Sequence, residues 1–273
     1  MVGRMGGQIL GALGRWGLSA LESAGGMGGL LRETGVHLGR CLTGRSRLPP
    51  GSVTLQMVKV GVRSVPIVLM TNLFIGMILA VSIAPLLRKF GVDTRLANVL
   101  GVAMTREIAP LMTALVMSGF VGAAMAAELG TMKVSEELLA LETSAISPVR
   151  FLVLPRMLAV LVMLACLTLF ADYAGLGGGY LVGVGLLGLP GPQYLELTRQ
   201  ALSGRDIVNG LIKAEVFALI ITTVACYQGL HVSGGAEGVG RATTNAVVHS
   251  IVLLIAANLV LTIVFNWLLA GGT

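Results

Sequence analysis

Five long apolar segments restrict this chain more than any other feature of its sequence. A helix needs about 20 mostly apolar residues to cross the hydrocarbon core of a bilayer. The segments that meet this length are residues 64–87, 96–127, 152–187, 216–236 and 242–273. Only Arg106 and Glu107 interrupt the second segment, and Asp172 interrupts the third. The pattern predicts an all-α integral membrane protein with five transmembrane helices.

Composition supports the same class and argues against two others. The chain is 55% hydrophobic and 12% charged, whereas a soluble domain averages about 25% charged residues. Its net charge of +6 could suggest a nucleic-acid partner. The positive residues, however, are spread over short loops and the N-terminal arm, without an aromatic-interleaved basic patch. The cysteines and histidines are isolated, so no metal site is expected.

The distribution of Lys and Arg predicts the orientation. Twelve lie in the N-terminal arm, the loop after the second span and the loop after the fourth, and six lie in the loops on the other side. Because cytoplasmic loops carry the excess of positive charge, the N-terminus is expected in the cytoplasm and the C-terminus outside.

The N-terminal part divides from the rest of the chain near residue 60. Residues 61–273 hold the five spans, whereas residues 1–60 form a basic arm that is too interrupted to cross a membrane. Within this arm, "GGLLRETGVHLGRCL" places Leu30, Leu31, Leu38 and Leu42 among charged residues, which predicts an amphipathic interfacial helix. For residues 1–25, a disordered basic tail fits the sequence as well as an ordered segment does.

A short charged segment, "AAELGTMKVSEELLALETSAISP", separates the second and third spans. Val134, Leu138 and Leu141 recur at helical spacing and form one apolar stripe. Ser135 is suited to cap a helix whose first turn carries Glu136 and Glu137. We therefore predict a cytoplasmic helix over about residues 133–143. A docking surface for a partner and a helix resting on the membrane surface both fit this pattern.

Several motifs resemble the MlaE family of permeases, the membrane subunits of MCE-associated lipid ABC transporters. They are "TREIAPLMTALVMSGFVGAAMAAELGTMKVSEELLALETSAISPVRFLVLPR", "ADYAGLGGGYLVG", "GRDIVNGLIKAEVF" and "EGVGRATTNAVVHS". They follow one another in the same order as in the family, and the resemblance covers about residues 55–268.

The resemblance implies a homodimer of five-span subunits in the inner membrane of a bacterium with two membranes. It implies transport of phospholipid or a similar lipid between membranes, in support of outer-membrane lipid asymmetry, and an MCE-domain partner on the outer side. The charged segment would be the coupling helix, which fits a groove on a cytoplasmic ATPase. Its contact residues would be Glu136, Glu137, Leu138, Ala140 and Leu141.

The chain has no G-x-x-x-x-G-K-[ST] motif, so it lacks the loop that cradles a triphosphate. ATP and Mg²⁺ are therefore expected on a separate ATPase chain, and this chain is expected to be neither catalytic nor bound to a cofactor.

Arg106 and Glu107 are informative because a charge inside the membrane costs about 2.5–3.5 kcal/mol on insertion scales. Pro110 leaves the carbonyl of Arg106 without its usual helical partner, which predicts a kink. We expect both residues to line a lipid headgroup pocket, and the resemblance points to the same position. Phe74 and Met77 are candidates for acyl-chain contact. The alternative is that the charged pair marks an interface boundary and that Phe74 and Met77 are ordinary packing residues.

Three positions depart from the family pattern. Phe120 stands where Arg is usual, Asn245 where a charged residue is common, and Asn258 where Asp is common. The joint loss of a positive and a negative charge suggests a missing internal ion pair in a region that is apolar instead.

Two other functions also fit the composition. An ion-coupled secondary transporter would use Glu107 and Asp172 as carriers, although no internal repeat of the kind common in such folds is visible. A non-transporting scaffold that anchors an ATPase would need none of the pocket residues.

Overall fold

The computed structural model describes residues 22–23, 25–41, 51–92 and 95–270, with the side chains of residues 268–270 excepted. Most of the expected basic tail, residues 1–25, therefore lies outside the described residues. Leu42 also lies outside them. Within the described part, the chain is helical and contains no strand.

Eleven α-helices are described in chain order. They are α1 (residues 25–41), α2 (Ser52–Val60), α3 (Val65–Lys89), α4 (Leu96–Ala103), α5 (Ala109–Met117), α6 (Ala123–Val134), α7 (Glu137–Thr143), α8 (Leu154–Gly185), α9 (Gly191–Ala201), α10 (Gly204–Leu230) and α11 (Gly235–Ala270). A short 3-10 turn, Val62–Ser64, joins α2 to α3. Three π-helical turns, Met104–Ile108, Ser118–Gly122 and Val149–Val153, continue directly into α5, α6 and α8.

Five of these stretches are long and apolar enough to cross a membrane: Ser52–Lys89, Leu96–Val134, Val149–Gly185, Gly204–Leu230 and Gly235–Trp267. The prediction of an all-α protein with five transmembrane helices is confirmed. The second span is a single continuous rod built from α4, α5 and α6 with two π turns between them.

The predicted bounds of the fourth span, 216–236, are wrong. The helix begins at Gly204, where the Ser203 side chain accepts from the backbone of Arg205 and Asp206 accepts from the backbone N–H of Ser203 in a capping box. It ends at Leu230. Lys213 precedes the predicted span, but it lies within the helix that the structure shows, and its side chain is only 1% exposed.

The first and third spans approach each other most closely through glycine. A Cβ added at Gly76 would collide with the backbone carbonyl of Gly175, and one added at Gly178 would collide with the carbonyl of Leu73. Without side chains at these positions, the two backbones can meet directly, as small residues allow in membrane helices. This contact fixes α3 against α8 and places the opposite face of α3 on the outside of the bundle.

Helices α1 and α7 lie at the same end of the bundle. Leu30 of α1 and Leu138 of α7 belong to one apolar cluster with Leu129, Val153 and Cys226. At the opposite end, α9 inserts Tyr194 against Gly179 and Gly183 of α8, and burial raises the pKa of this phenol to about 12. The two ends are therefore each closed by a short helix packed on the spans.

Candidate functional site

The π-helical turn Met104–Ile108 holds two adjacent charges of the second span, Arg106 and Glu107. It lies directly before Pro110, and the backbone N–H of Ala109 donates to the carbonyl of Met104 rather than to the carbonyl four residues back. The turn Val149–Val153 lies at the same offset before Pro155. Such widened turns are frequent at functional sites. Here the widening occurs where a kink was predicted.

Glu107 is the centre of a polar cluster that joins three spans. Lys213 of α10 donates from Nζ to Glu107 Oε2 at 2.6 Å and to Thr262 Oγ1 at 2.8 Å. Thr262 of α11 donates to the same carboxylate at 3.0 Å, and Asn258 Nδ2 lies 3.4 Å from it. We call Glu107, Lys213, Asn258 and Thr262 the Glu107 cluster.

The exposure of the two charged partners is unequal. The Lys213 side chain is 1% exposed, whereas the Glu107 side chain is 37% exposed. The ammonium group is therefore held inside the protein, and the carboxylate reaches the surface of this single chain. A carboxylate with fixed donors on one side and an open face on the other can bind a polar or cationic group.

Arg106 points elsewhere, as expected for an adjacent residue on a helix. Its Nε lies 3.3 Å from Asp206 Oδ1, and Asp206 is also the capping residue of α10. Arg106 thus holds the start of the fourth span, while Glu107 holds the same span two turns further along through Lys213. Both charges of this π turn therefore have opposite charges as partners.

The structure does not join the four predicted pocket residues into one cluster. Phe74 is 51% exposed on the outer face of α3. Met77 is partly buried where α3 meets Gly178 of α8. Neither has a described hydrogen bond or ring contact with the Glu107 cluster, so their role as acyl-chain contacts stays a prediction.

Sequence reasoning missed Lys213, Thr262 and Asn258 as members of the site. A signal for Lys213 was present, because a Lys inside a membrane-spanning helix requires a partner. Thr262 and Asn258 lie four residues apart in α11, which places them on one face of the helix. This spacing indicates a shared binding partner only when the position of the Glu107 carboxylate is known.

The predicted coupling helix is shorter than expected and begins later. Glu136 has a positive φ of 61°, which interrupts the helix, and α7 runs from Glu137 to Thr143. Ser135 is therefore not the N-cap; its hydroxyl lies 3.0 Å from the carboxylate of Glu137 and caps no backbone group of α7. Val134 ends α6 and does not share a helix with Leu138.

The side chains of α7 divide into anchoring and exposed residues. Leu138 is buried and Leu141 packs against the same apolar cluster, so these two attach the helix to the bundle. Glu136, Glu137 and Ala140 are exposed. Leu139, which the sequence reasoning did not select, is 54% exposed and is the apolar side chain that α7 presents outward.

A second ion-pair cluster lies near α7. Glu128 of α6 accepts from Arg156 of α8 at 3.0 Å and from Lys59 of α2 at 3.1 Å. The Arg156 side chain is 4% exposed and also donates to the carbonyl of Leu152. We call Glu128, Arg156 and Lys59 the Glu128 cluster; it joins the first three spans.

The three departures from the family pattern do not mark one lost ion pair. Asn258 belongs to the Glu107 cluster, so its surroundings are polar and not apolar. Phe120 lies thirteen residues after Glu107 along the same span, about 20 Å away at 1.5 Å per residue. Asn245 lines a polar cavity beside His231 and Arg241 instead.

Asp172 lies within α8 and is 7% exposed. Its Oδ1 has no hydrogen-bond partner among the described residues, and no described ion pair includes it. No described hydrogen bond or ion pair joins it to the Glu107 cluster, and the use of the two carboxylates as carriers stays a prediction.

Five long apolar helices with opposite charges paired between them define a multi-pass membrane protein. The family model for the permease MlaE matches residues 53–264. This chain therefore belongs to the MlaE permease family, and it is a permease.

Three relatives illustrate the range of the family. A probable ABC transporter permease of Rickettsia prowazekii is 41% identical over 210 residues, which cover 77% of this chain and 81% of the relative. The intermembrane phospholipid transport system permease protein MlaE of Haemophilus influenzae is 35% identical over 76% of this chain and 80% of its own length. The chloroplastic protein TRIGALACTOSYLDIACYLGLYCEROL 1 of Arabidopsis thaliana is 35% identical over 77% of this chain and 60% of its own length.

Proposed function

We propose that this chain is the membrane subunit of an ABC transporter that moves phospholipid, or a lipid of similar shape, between bacterial membranes. A separate ATPase supplies the energy, and α7 is the surface on which it docks. The lipid assignment is supported by the similarity to the phospholipid permease of Haemophilus influenzae.

The observation that carries the proposal is the Glu107 cluster. A carboxylate in the second span is held by Lys213 and Thr262, yet it remains 37% exposed. Intramembrane charges are costly and usually mark a substrate pathway. We infer that this open face contacts the polar headgroup of the lipid, while Arg106 and Asp206 hold the neighbouring helix start.

The shape of α7 supports the docking role. Its inner side is fixed to the bundle by Leu138, and its outer side presents Leu139 together with the exposed acidic residues Glu136 and Glu137. An apolar side chain together with acidic residues suits a groove on a partner that is basic at its rim and apolar at its centre. The turn at Glu136 connects α7 to the end of the second span, so movement of α7 would reach Glu107 through this turn and then along the rod.

The family resemblance and the exposed apolar surface of α11 support the other parts of the proposed assembly. Val252, Ile255, Leu259 and Ile263 of α11 are more than half exposed. Lipid covers part of this face, and in a homodimer a second copy covers the rest. We propose a cytoplasmic position for α1 and α7, an inner-membrane location, and an MCE-domain partner at the end that carries α9.

A pull-down from the native host tests the assembly. The tagged permease, extracted in mild detergent, is expected to carry an ATPase chain with a Walker motif and an MCE-domain protein, identified by mass spectrometry. Leu139→Glu is expected to lose the ATPase while it retains the MCE protein. The matched control is Leu195→Glu on α9, because Leu195 is similarly exposed at 56% but lies at the other end. Recovery of the wild-type chain without any ATPase would refute the proposal.

A reconstitution assay tests the lipid step. Purified complex in vesicles is expected to move a fluorescent phospholipid only with ATP, and Glu107→Gln is expected to slow this movement at least tenfold. ATPase binding should be unchanged, because Glu107 lies far from α7. Movement that follows an ion gradient and ignores ATP would instead support the secondary transporter, for which the buried, unpartnered carboxylate of Asp172 is the favouring observation.

A further inference from the structure

A groove of about 290 Å³ opens between the first two spans at the end of the bundle that carries α7. Lys59 and Arg63 from the first span and Glu128 from the second form its polar rim, and Phe120 and Val121 contribute to its apolar wall. Ligand pockets are typically about 300–1,000 Å³. The groove is thus large enough for part of a lipid, and the Glu107 cluster is not among its lining residues.

The rim carries an excess of positive charge. Glu128 is the carboxylate shared by Arg156 and Lys59, so two cations already neutralise one anion. Arg63 is exposed, and the described residues offer it no ion pair. An anion that binds here would meet both Lys59 and Arg63, each with donors directed to the surface.

Polar and apolar parts of the groove lie at different depths. Arg63 is in the 3-10 turn directly before α3, whose first residues are apolar. Phe120 precedes Glu128 by eight residues, which is about 12 Å along the second span at 1.5 Å per residue. Phe120 is 46% exposed. Cations therefore lie at headgroup level and an aromatic ring lies at acyl-chain level.

We propose that this groove binds an anionic phospholipid, with the phosphate between Lys59 and Arg63 and an acyl chain along Phe120 and Val121. Basic pockets between transmembrane helices recognise anionic headgroups, and each Lys or Arg near the surface adds about fivefold to the affinity. Binding needs only the folded permease in a membrane, so it does not depend on transport or on an ATPase.

Fluorescence quenching by brominated lipids tests the site directly. The two native tryptophans are replaced by Phe, and Phe120→Trp then places one reporter on the apolar wall. The protein is reconstituted in phosphatidylcholine vesicles that contain a small, equal fraction of brominated phosphatidylglycerol or brominated phosphatidylcholine. The anionic lipid is expected to quench at about one fifth, or less, of the concentration that the neutral lipid requires.

Two variants separate the groove from general attraction to the membrane. Arg63→Gln is expected to reduce the preference for the anionic lipid about fivefold. Lys133→Gln removes an equally exposed positive charge at the same end of the bundle but outside the groove, and it should leave the preference unchanged.

Three outcomes would overturn the proposal. Equal quenching by both lipids would mean that Phe120 meets only bulk lipid. Quenching by neither would mean that protein, such as a second copy, covers the groove. A preference that survives Arg63→Gln and disappears in Lys133→Gln would place the anionic lipid elsewhere.

Discussion

The two ion-pair clusters of the second span differ in the number of cations that hold the carboxylate. In the Glu107 cluster, a buried lysine holds a carboxylate that remains partly open. In the Glu128 cluster, a buried arginine and an exposed lysine hold one carboxylate from two sides. The two glutamates are twenty-one residues apart, about 31 Å along the rod. One cluster therefore lies about one hydrocarbon thickness from the other.

This difference separates two uses of charge in one helix. The Glu107 carboxylate keeps an open face where a substrate can bind, and it joins the second, fourth and fifth spans. The Glu128 carboxylate has both oxygens occupied by cations, and it joins the first three spans next to α7. The Glu107 carboxylate with Lys213 is thus neutral overall, whereas the Glu128 carboxylate with Arg156 and Lys59 carries one net positive charge.

The largest effect on stability is expected from Glu107→Gln. Loss of the carboxylate leaves Lys213 buried without a counter-charge, which costs about 3–5 kcal/mol when a buried ion pair is broken on one side. Thermal or SDS unfolding of the detergent-purified protein measures this cost. The double variant Glu107→Gln with Lys213→Met should recover most of it, because both charges are then absent. A single variant as stable as the wild type would show that Lys213 has another anionic partner.

A smaller loss is expected from Glu128→Gln. Arg156 is buried, but it keeps the carbonyl of Leu152 as an acceptor, so we expect a cost of about 2 kcal/mol, typical of a lost hydrogen bond to a charged group. The same unfolding assay applies. If Glu128→Gln lost more stability than Glu107→Gln, the Glu128 cluster and not the Glu107 cluster would contribute more to the stability of the protein.

We expect Thr262→Val to lower the stability of the protein by about 1 kcal/mol. The hydroxyl accepts from Lys213 and donates to Glu107, and a typical hydrogen bond contributes about this much. Thr243→Val is the control, since this hydroxyl of the same helix donates only to the carbonyl of Val239. If both variants lost the same stability, the hydrogen bonds of Thr262 to Lys213 and Glu107 would contribute nothing measurable.

The smallest effect is expected from Lys59→Met. The side chains of Lys59 and Glu128 are 43% and 41% exposed, and exposed ion pairs contribute about 0–1 kcal/mol. The measured cost should fall further at high salt. A loss above about 2 kcal/mol, unchanged by salt, would mean that Lys59 and not Arg156 secures Glu128.

The sequence predicted the parts of the fold that depend on apolar length. Five spans follow from five apolar segments, whereas the interfacial position expected for α1 stays a prediction. The fourth span was misplaced because Lys213 was read by its charge alone. Its partner lies 106 positions earlier in the chain, and no local pattern reveals such a pair.

Prediction of the site was limited in the same way. Arg106 and Glu107 were recognisable as costly charges, but their separate partners on α10 and α11 were not. The start of α7 was missed because Ser135 has the chemistry of a cap, whereas the backbone reverses at Glu136 with a positive φ. Leu138 and Leu141 of the predicted stripe do share the buried face of α7, but Val134 does not belong to that helix.

The π turns of the second span also affect how its length can change. A π turn contains one residue more than an α turn, so deletion of one residue there can restore a regular helix without rotating the rest. The same deletion elsewhere in the span turns every following side chain by about 100°. Glu128 and α7 would then face the wrong neighbours. Among the described parts of this span, Met104–Ile108 and Ser118–Gly122 are thus where a single deletion can leave both clusters in register.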